Sequence, residues 1–356
     1  MKRPYELKGP KRIQIQPTDR CNLVCKFCER RDYFSPESEL DSKSWERIID
    51  DIVELAPEKM ILVGGGEPLL RKDVFNLAIE KLSEADIYTS LVTSGTLFDE
   101  SDIERMIENE WNHIVFSIHA PFAKLADELY GVEGAFERTL RNIELIKEKK
   151  EEYDNKLPTM AITTVLNKSN YRYLEELKEF VKEYELEPLT LRIMSGDPDS
   201  CDFIPKADLV DVKNKLYKIS GEIHTRYEFN MSELTGYYDS ETVDRGMDTI
   251  PYCLSPFFEM AVFADGTVTP CCFMFGDAAV STDADSSSLC EIWSGDFFEE
   301  LRQRSILGDK SGLCKECQVS RMEMSDLRKD FEKYYNELLD QHTKDVFRKE
   351  FMRSKS

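Results

Sequence analysis

Between Arg12 and Ile193 the chain alternates short apolar runs with longer stretches whose apolar residues recur every three or four positions. The short runs are Arg12–Gln16, Lys59–Val63, Ile87–Thr93, His113–Ile118, Met160–Val165 and Leu189–Ile193. They are rich in β-branched and aliphatic residues, as strands buried on both faces of a parallel sheet are. Amphipathic helices are predicted between them over Ser44–Leu55, Asp73–Ala85, Asp99–Glu110, Ala135–Lys150 and Tyr173–Tyr184. In the fourth of these, Phe136, Leu140, Ile143 and Ile146 share one face while Glu and Arg fill the other. Strand alternating with helix predicts an α/β fold with a parallel sheet and right-handed crossovers. Ligands of such folds gather at the C-terminal ends of the strands.

Beyond Ile193 the pattern changes. Gly196-Asp197-Pro198-Asp199-Ser200 reads as a turn and Lys206–Ser220 as a helix, and the segment up to Asp248 is polar and irregular. After Pro251, Phe258–Phe263 and Thr267–Cys271 flank Asp265-Gly266, a hairpin signal. A helix is predicted over Leu289–Arg304, and the tail from Arg321 to Ser356 is helical by composition. The chain therefore divides into a core at 1–200, a bridge at 201–250, a compact module at 251–320 and a tail at 321–356.

Composition narrows the classes. A formal net charge of −22 argues against nucleic acid as a main partner, because phosphate contacts need clustered Lys and Arg. The start, Met1-Lys2-Arg3-Pro4-Tyr5-Glu6, lacks an apolar signal region, and no apolar run reaches the length of a membrane span. A cytoplasmic location without a membrane partner is expected. In that compartment the ten cysteines are read as metal ligands rather than as disulfides.

Three of them stand in the CxxxCxxC array Cys21, Cys25 and Cys28, directly after the first predicted strand. Clustered soft thiolates suit an iron–sulfur cage. A cubane would take four thiolates and this loop offers three, which leaves one iron open to another ligand. A zinc knuckle is the alternative; it too wants a fourth ligand, and no His precedes His113. The array resembles that of the radical S-adenosylmethionine (SAM) enzymes, whose fold is a partial (βα)6 barrel, in agreement with six strand–helix units. The resemblance implies that the open iron binds SAM and that reductive cleavage of SAM yields a 5′-deoxyadenosyl radical. It also implies anaerobic chemistry and a low-potential electron donor such as flavodoxin or ferredoxin.

The resemblance extends to other strand ends. Gly64-Gly65-Gly66-Glu67-Pro68 follows the second strand and resembles the GGEP motif that binds the SAM amino group, so Gly65, Gly66, Glu67 and Pro68 are candidate cofactor contacts. Phe27, before the third cysteine, occupies the place of an aromatic residue near the adenine. Thr93-Ser94-Gly95 and Ser117-Ile118-His119 end the next two strands, and by resemblance Ser94, Ser117 and His119 would meet the SAM carboxylate and ribose. Many relatives carry Asp where this chain has His119, so a solvated strand-end histidine is the other reading. Thr164, Val165, Leu191 and Arg192 end the last two strands and would line the adenine pocket, core packing being the alternative for Val165 and Leu191. Arg138 is a further candidate for the SAM carboxylate, or else a helix-surface cation.

A second set, Cys253, Cys271, Cys314 and Cys317, resembles the SPASM/Twitch auxiliary-cluster module, with structural zinc as the alternative. Four thiolates would saturate one further [4Fe–4S] cluster, and with no cysteine after Cys317 the single-cluster Twitch form is expected. Cys290 reads as core. Cys272 and Cys201 are candidate hydrogen-atom donors to a substrate radical. The expected activity is an oxidoreductase acting on a small hydroxylated or aminated, sugar- or cyclitol-like metabolite, resembling Twitch dehydrogenases of the 2-deoxy-scyllo-inosamine type. The alternatives are an epimerase with a cysteine donor, a peptide or protein maturase, and a non-enzymatic metal scaffold. Maturases of this kind often carry an N-terminal precursor-recognition domain. Only twenty residues precede Cys21, which favours a small or separately recruited substrate.

Overall fold

A computed structural model describes residues 9–28, 38–194, 202–227, 255–271, 282–283 and 287–306. The apolar runs form parallel strands: β1 (Arg12–Ile15), β2 (Lys59–Leu62), β3 (Tyr88–Thr93), β4 (His113–Ser117), β5 (Thr159–Leu166) and β6 (Leu189–Ile193). Each pairs with the next in register, as the alternating pattern requires. In β1 and β2, Ile13, Ile15, Met60 and Leu62 are fully buried on the helix side while their neighbours face the other way. Burying one such side chain stabilises by about 1.5–3 kcal/mol.

The helices cover one face. They are α1 (Ser42–Leu55), α2 (Lys72–Leu82), α3 (Glu100–Glu108), α4 (Ala123–Tyr130), α5 (Ala135–Glu152), α6 (Leu174–Tyr184) and α7 (Leu209–Ser220). Helix α1 shows why they form. The Asp41 carboxylate accepts the Ser44 N–H at 2.8 Å, and Trp45, Ile48, Ile49 and Ile52 recur at helical spacing and are buried. Such a cap is worth about 1 kcal/mol. Asp99 and Asp102 close a capping box on α3 in the same way.

Four features depart from the sequence reading. Helix α4 was not expected, because AKLADELY is only two turns long and follows the fourth strand without a capping residue to announce it. Strand β7 (Thr225–Tyr227) adds a seventh parallel strand inside the segment read as an irregular bridge. The expected hairpin, β8 (Glu259–Val262) and β9 (Thr267–Thr269), is present, and β8 also pairs in parallel with β1. Glu259 sits opposite Arg12 and forms an ion pair with it. With β10 (Thr282–Asp283), the sheet runs β10-β9-β8-β1-β2-β3-β4-β5-β6-β7, so the C-terminal hairpin prolongs the barrel sheet. After the short α8 (Ser255–Phe258), the helix expected over Leu289–Arg304 is two, α9 (Leu289–Ser294) and α10 (Asp296–Ile306), broken at Gly295. The tail at 321–356 lies outside the described residues.

Candidate functional site

The loop after β1 carries the cysteine triad across the C-terminal ends of β2 to β4, and backbone hydrogen bonds hold it there. Gly66 N–H donates to Thr18 O at 3.0 Å and Glu67 N–H to Arg20 O at 2.8 Å. On the other side, Val24 N–H donates to Tyr130 O at 2.9 Å and Lys26 N–H to Leu129 O at 3.0 Å. Glu39 gathers the start of the loop, accepting from Thr18 Oγ1 at 2.6 Å and from Asp19 N–H at 3.0 Å. Two glycines permit the close approach. A Cβ on Gly66 would lie 1.8 Å from Arg20 O, and one on Gly131, whose φ is +67°, would lie 2.9 Å from Val24 O.

Cys21 lies on the exposed lip of this loop, with Cys25 and Cys28 half-buried. Burial, then mutual repulsion with neighbouring anionic groups, pushes the Cys25 thiol up to about 12. Burial likewise pushes Cys21 up to about 11. Thiolates so penalised call for a bound cation, which would reverse the balance. Among the described residues no three His, Cys, Asp or Glu side chains converge closely enough to hold a single ion. Three soft thiolates with no fourth protein ligand in the same loop suit an iron–sulfur cage with one open iron. Asn22 Oδ1, within the loop, is buried without a hydrogen-bond partner, while its Nδ2 donates to Thr96 Oγ1 at 2.8 Å. An unsatisfied acceptor beside the triad is what a site built for a further ligand leaves open.

Gly65 and Gly66 are half-buried, whereas Pro68 and Glu67 are buried, Glu67 being 3% exposed. The Glu67 carboxylate accepts Thr93 Oγ1–H at 2.6 Å, Ser94 N–H at 2.8 Å and Leu69 N–H at 3.2 Å. Burial nevertheless holds its pKa above the ordinary carboxylate value. The side chain thus clamps the end of β3 to the turn after β2, and a cation at its remaining lone pair would relieve the desolvation.

Ser94 and Ser117 lie at neighbouring strand ends. Ser94 Oγ pairs with Thr96 Oγ1 at 2.9 Å, and Ser117 O accepts from the Tyr130 hydroxyl at 3.0 Å. His119 is not solvated. It is 5% exposed, meets the Phe27 ring edge-on at 4.5 Å and accepts the Val165 N–H at Nδ1 over 3.1 Å. Burial, then the Arg192 charge, pushes it down to about 3, so the ring is neutral and its proton is on Nε2. Leu191 is fully buried in the core with its side chain on the helix face. Arg138 stands on the first turn of α5 and donates to Glu133 O at 3.5 Å; no contact among the described residues brings it to the cysteine loop.

Asn22, Tyr130 and Asp127 were missed from sequence. Asp127 accepts Gly134 N–H at 2.7 Å and Phe136 N–H at 2.9 Å, capping α5. Its only sequence signal is an acid a few residues before a glycine-led helix start. In the C-terminal set, Cys271 is half-buried at the end of β9, while Cys253, Cys272, Cys314, Cys317 and Cys201 lie outside the described residues. Cys290 is half-buried on α9. No described helix is long and apolar enough to cross a membrane.

With this geometry in view, residues 15–181 match the radical SAM superfamily, and residues 253–318 match the SPASM iron–sulfur cluster-binding domain. The chain carries a radical SAM domain and a SPASM domain. The two domains imply a SAM-binding [4Fe–4S] cluster and auxiliary iron–sulfur clusters. The chain is 26% identical to the AdoMet-dependent heme synthase of Methanosarcina barkeri over 327 residues, 86% of this chain and 89% of that one. It is 34% identical to the PqqA peptide cyclase of Granulibacter bethesdensis over 143 residues, 40% of this chain and 38% of the cyclase. SuiB of Streptococcus suis, solved with S-adenosylmethionine, shares the fold at a TM-score of 0.63 and 20% identity, over 89% of this chain and 70% of SuiB.

Proposed function

We propose that this radical SAM enzyme abstracts a hydrogen atom from a substrate carbon at the mouth of the partial barrel and oxidises the substrate by two electrons. One electron leaves with the hydrogen atom, and the other, with loss of a proton, is accepted by the auxiliary cluster. The observation that carries the reading is the cysteine loop, pinned by backbone hydrogen bonds to the Gly66–Glu67 turn, with an orphaned Asn22 oxygen beside the triad. Cys21, Cys25 and Cys28 would hold the SAM-binding cluster, and Cys253, Cys271, Cys314 and Cys317 one auxiliary cluster of the Twitch kind. When bound, the cluster and SAM supply a 5′-deoxyadenosyl radical from an electron delivered by a flavodoxin- or ferredoxin-like donor.

The chain's own residues bind, orient and exclude water. Glu67 offers its carboxylate to the SAM ammonium, Phe27 and the neutral His119 wall the adenine side, and Ser94 and Ser117 face the carboxylate and ribose. For substrate, we favour a small hydroxylated or aminated metabolite oxidised at carbon. A peptide substrate is the second reading, supported by similarity to PqqA peptide cyclase over two-fifths of the chain. Epimerisation with Cys272 or Cys201 as hydrogen donor is the remaining outcome of the same first step.

The test is 5′-deoxyadenosine formation by anaerobically reconstituted protein under a strong reductant. Formation supports the reading, and its absence in protein with full iron content would leave a metal-binding scaffold. Once a substrate turns over, reaction in deuterium oxide separates the outcomes. Solvent deuterium on the product carbon, lost on replacing Cys272 or Cys201, would establish epimerisation.

A further inference from the structure

A row of hydroxyls crosses the open face of the sheet, and beyond Ser117 its members have no role in the reading above. Ser117 on β4, Thr163 on β5 and Thr190 on β6 are register partners on three adjacent strands, so their side chains share one face. It is the face away from the helices. In β6, Leu189, Leu191 and Ile193 are buried in the core, whereas Thr190 is half-buried and Arg192 exposed. Two residues beyond Thr163 on the same face, Val165 is the register partner of Arg192. His119 takes the Val165 N–H and lies within reach of the Arg192 charge, with Phe27 of the cysteine loop packed on its ring. The guanidinium therefore stands at the mouth, on the side of the triad.

Thr163 supplies the second, independent observation. It is 8% exposed, and its Oγ1 is buried without a hydrogen-bond partner. A buried hydroxyl left so is uncommon and signals an absent partner. As a donor it suits an anionic oxygen, and a planar guanidinium matches a carboxylate through two parallel N–H bonds. Elsewhere this chain is strongly acidic, with a net charge of −22, so an exposed inward-facing cation at the mouth is set against the prevailing field.

We propose that this face is a substrate carboxylate site, in which Arg192 grips the carboxylate and the Thr163 hydroxyl, with Thr190 beside it, donates to it, while Ser117 at the strand beyond stays with SAM. The proposal rests on the mouth being the reaction site and names the substrate as an acid. A free carboxylic acid and the acidic side chain of a peptide share this chemistry.

Equilibrium dialysis of the reconstituted protein tests it with two labelled acids, succinate and acetyl-glutamyl amide. Succinamide and acetyl-glutaminyl amide serve as uncharged competitors. At least one acid should bind saturably, one per chain, without displacement by either amide, and the acid that binds tells free acid from peptide. Arg192→Gln should weaken binding at least tenfold, and Arg192→Lys should retain part of it. Thr163→Val removes an unpaired hydroxyl, so it should leave the thermal midpoint unchanged or raised while weakening binding about threefold, which a merely structural threonine would not do. Should Arg192→Gln fail to fold, Thr163→Val alone decides. Absence of saturable binding, equal competition by the amides, or full affinity in both Arg192→Gln and Thr163→Val would overturn the proposal. Wild-type 5′-deoxyadenosine formation is read separately. If it persists while no acid binds, only this inference fails; if acid binds without it, the radical reading fails.

Discussion

Replacing Gly66 by alanine tests how the cysteine loop is held. The added Cβ would lie 1.8 Å from Arg20 O, 2.4 Å from Arg20 C and 2.7 Å from Asp19 C. All three are backbone atoms, so no flexible side chain can yield. Reaching even a 3.0 Å contact means parting the two segments by about 1.2 Å. The bonds Gly66 N–H to Thr18 O, 3.0 Å, and Glu67 N–H to Arg20 O, 2.8 Å, then exceed hydrogen-bond range. Losing both removes roughly 1–3 kcal/mol of net bonding, with a further cost if a group stays buried and unpaired. The same displacement moves the triad relative to Glu67 by about 1 Å, enough to cost roughly a hundredfold in rate. Gly221→Ala is the control, because its Cβ would meet Lys218 O at 3.3 Å with φ in the ordinary region. Denaturant unfolding of the iron-free chains and SAM cleavage by the reconstituted ones are the assays. Gly66→Ala should lose about 2–4 kcal/mol of stability and about a hundredfold in cleavage, while Gly221→Ala changes neither by much. If Gly66→Ala matched the wild type in both, the close approach of turn and loop would not be what positions the triad.

Three further outcomes are expected. Glu67→Gln keeps the shape of the clamp but loses its charge and sets an amide N–H among the donors Ser94 N–H and Leu69 N–H, so SAM affinity by equilibrium dialysis should fall at least about tenfold; unchanged affinity would remove Glu67 from the SAM site. His119 and His113 are held neutral, pushed down to about 3 and about 4, mainly by burial. Their folded pKa values lie below the unfolded 6.5, so stability is intact above that pH and is lost as pH falls, by about 2 kcal/mol for each at pH 5. His119→Gln should flatten the acid limb of the stability curve, and an unaltered limb would mean that the ring is not held neutral. Iron analysis should give about eight atoms per reconstituted chain for one auxiliary cluster, and Cys271→Ala should remove about half; about twelve would replace the Twitch form by a two-cluster SPASM domain.

The parallel strands were legible because burial on both faces writes continuous apolar runs, as in Met60–Leu62 and Ile114–Phe116. The strand-end positions of Cys21, Glu67, Ser94 and Ser117 followed from those runs, since each motif directly succeeds one. Contacts between distant segments were not legible. Nothing in Glu259 announces that it will sit opposite Arg12, and Thr225–Tyr227 is too short and polar to mark a seventh strand. His119 reads equally as a surface or a buried histidine until Phe27 and Val165 close over it. Thr163 gave no signal at all, because an unpaired hydroxyl is defined by neighbours that the local sequence does not name.

The central claim is that three thiolates hold a [4Fe–4S] cluster whose fourth iron is open to SAM. Mössbauer spectroscopy of iron-57 protein, reconstituted without oxygen and measured before and after SAM is added, tests it most directly. One iron of the N-terminal cluster's four should change its signal on SAM addition, and Cys25→Ala should abolish that change while the auxiliary signal persists. A spectrum unaltered by SAM in protein with full iron content, or zinc in place of iron at the triad, would contradict the account.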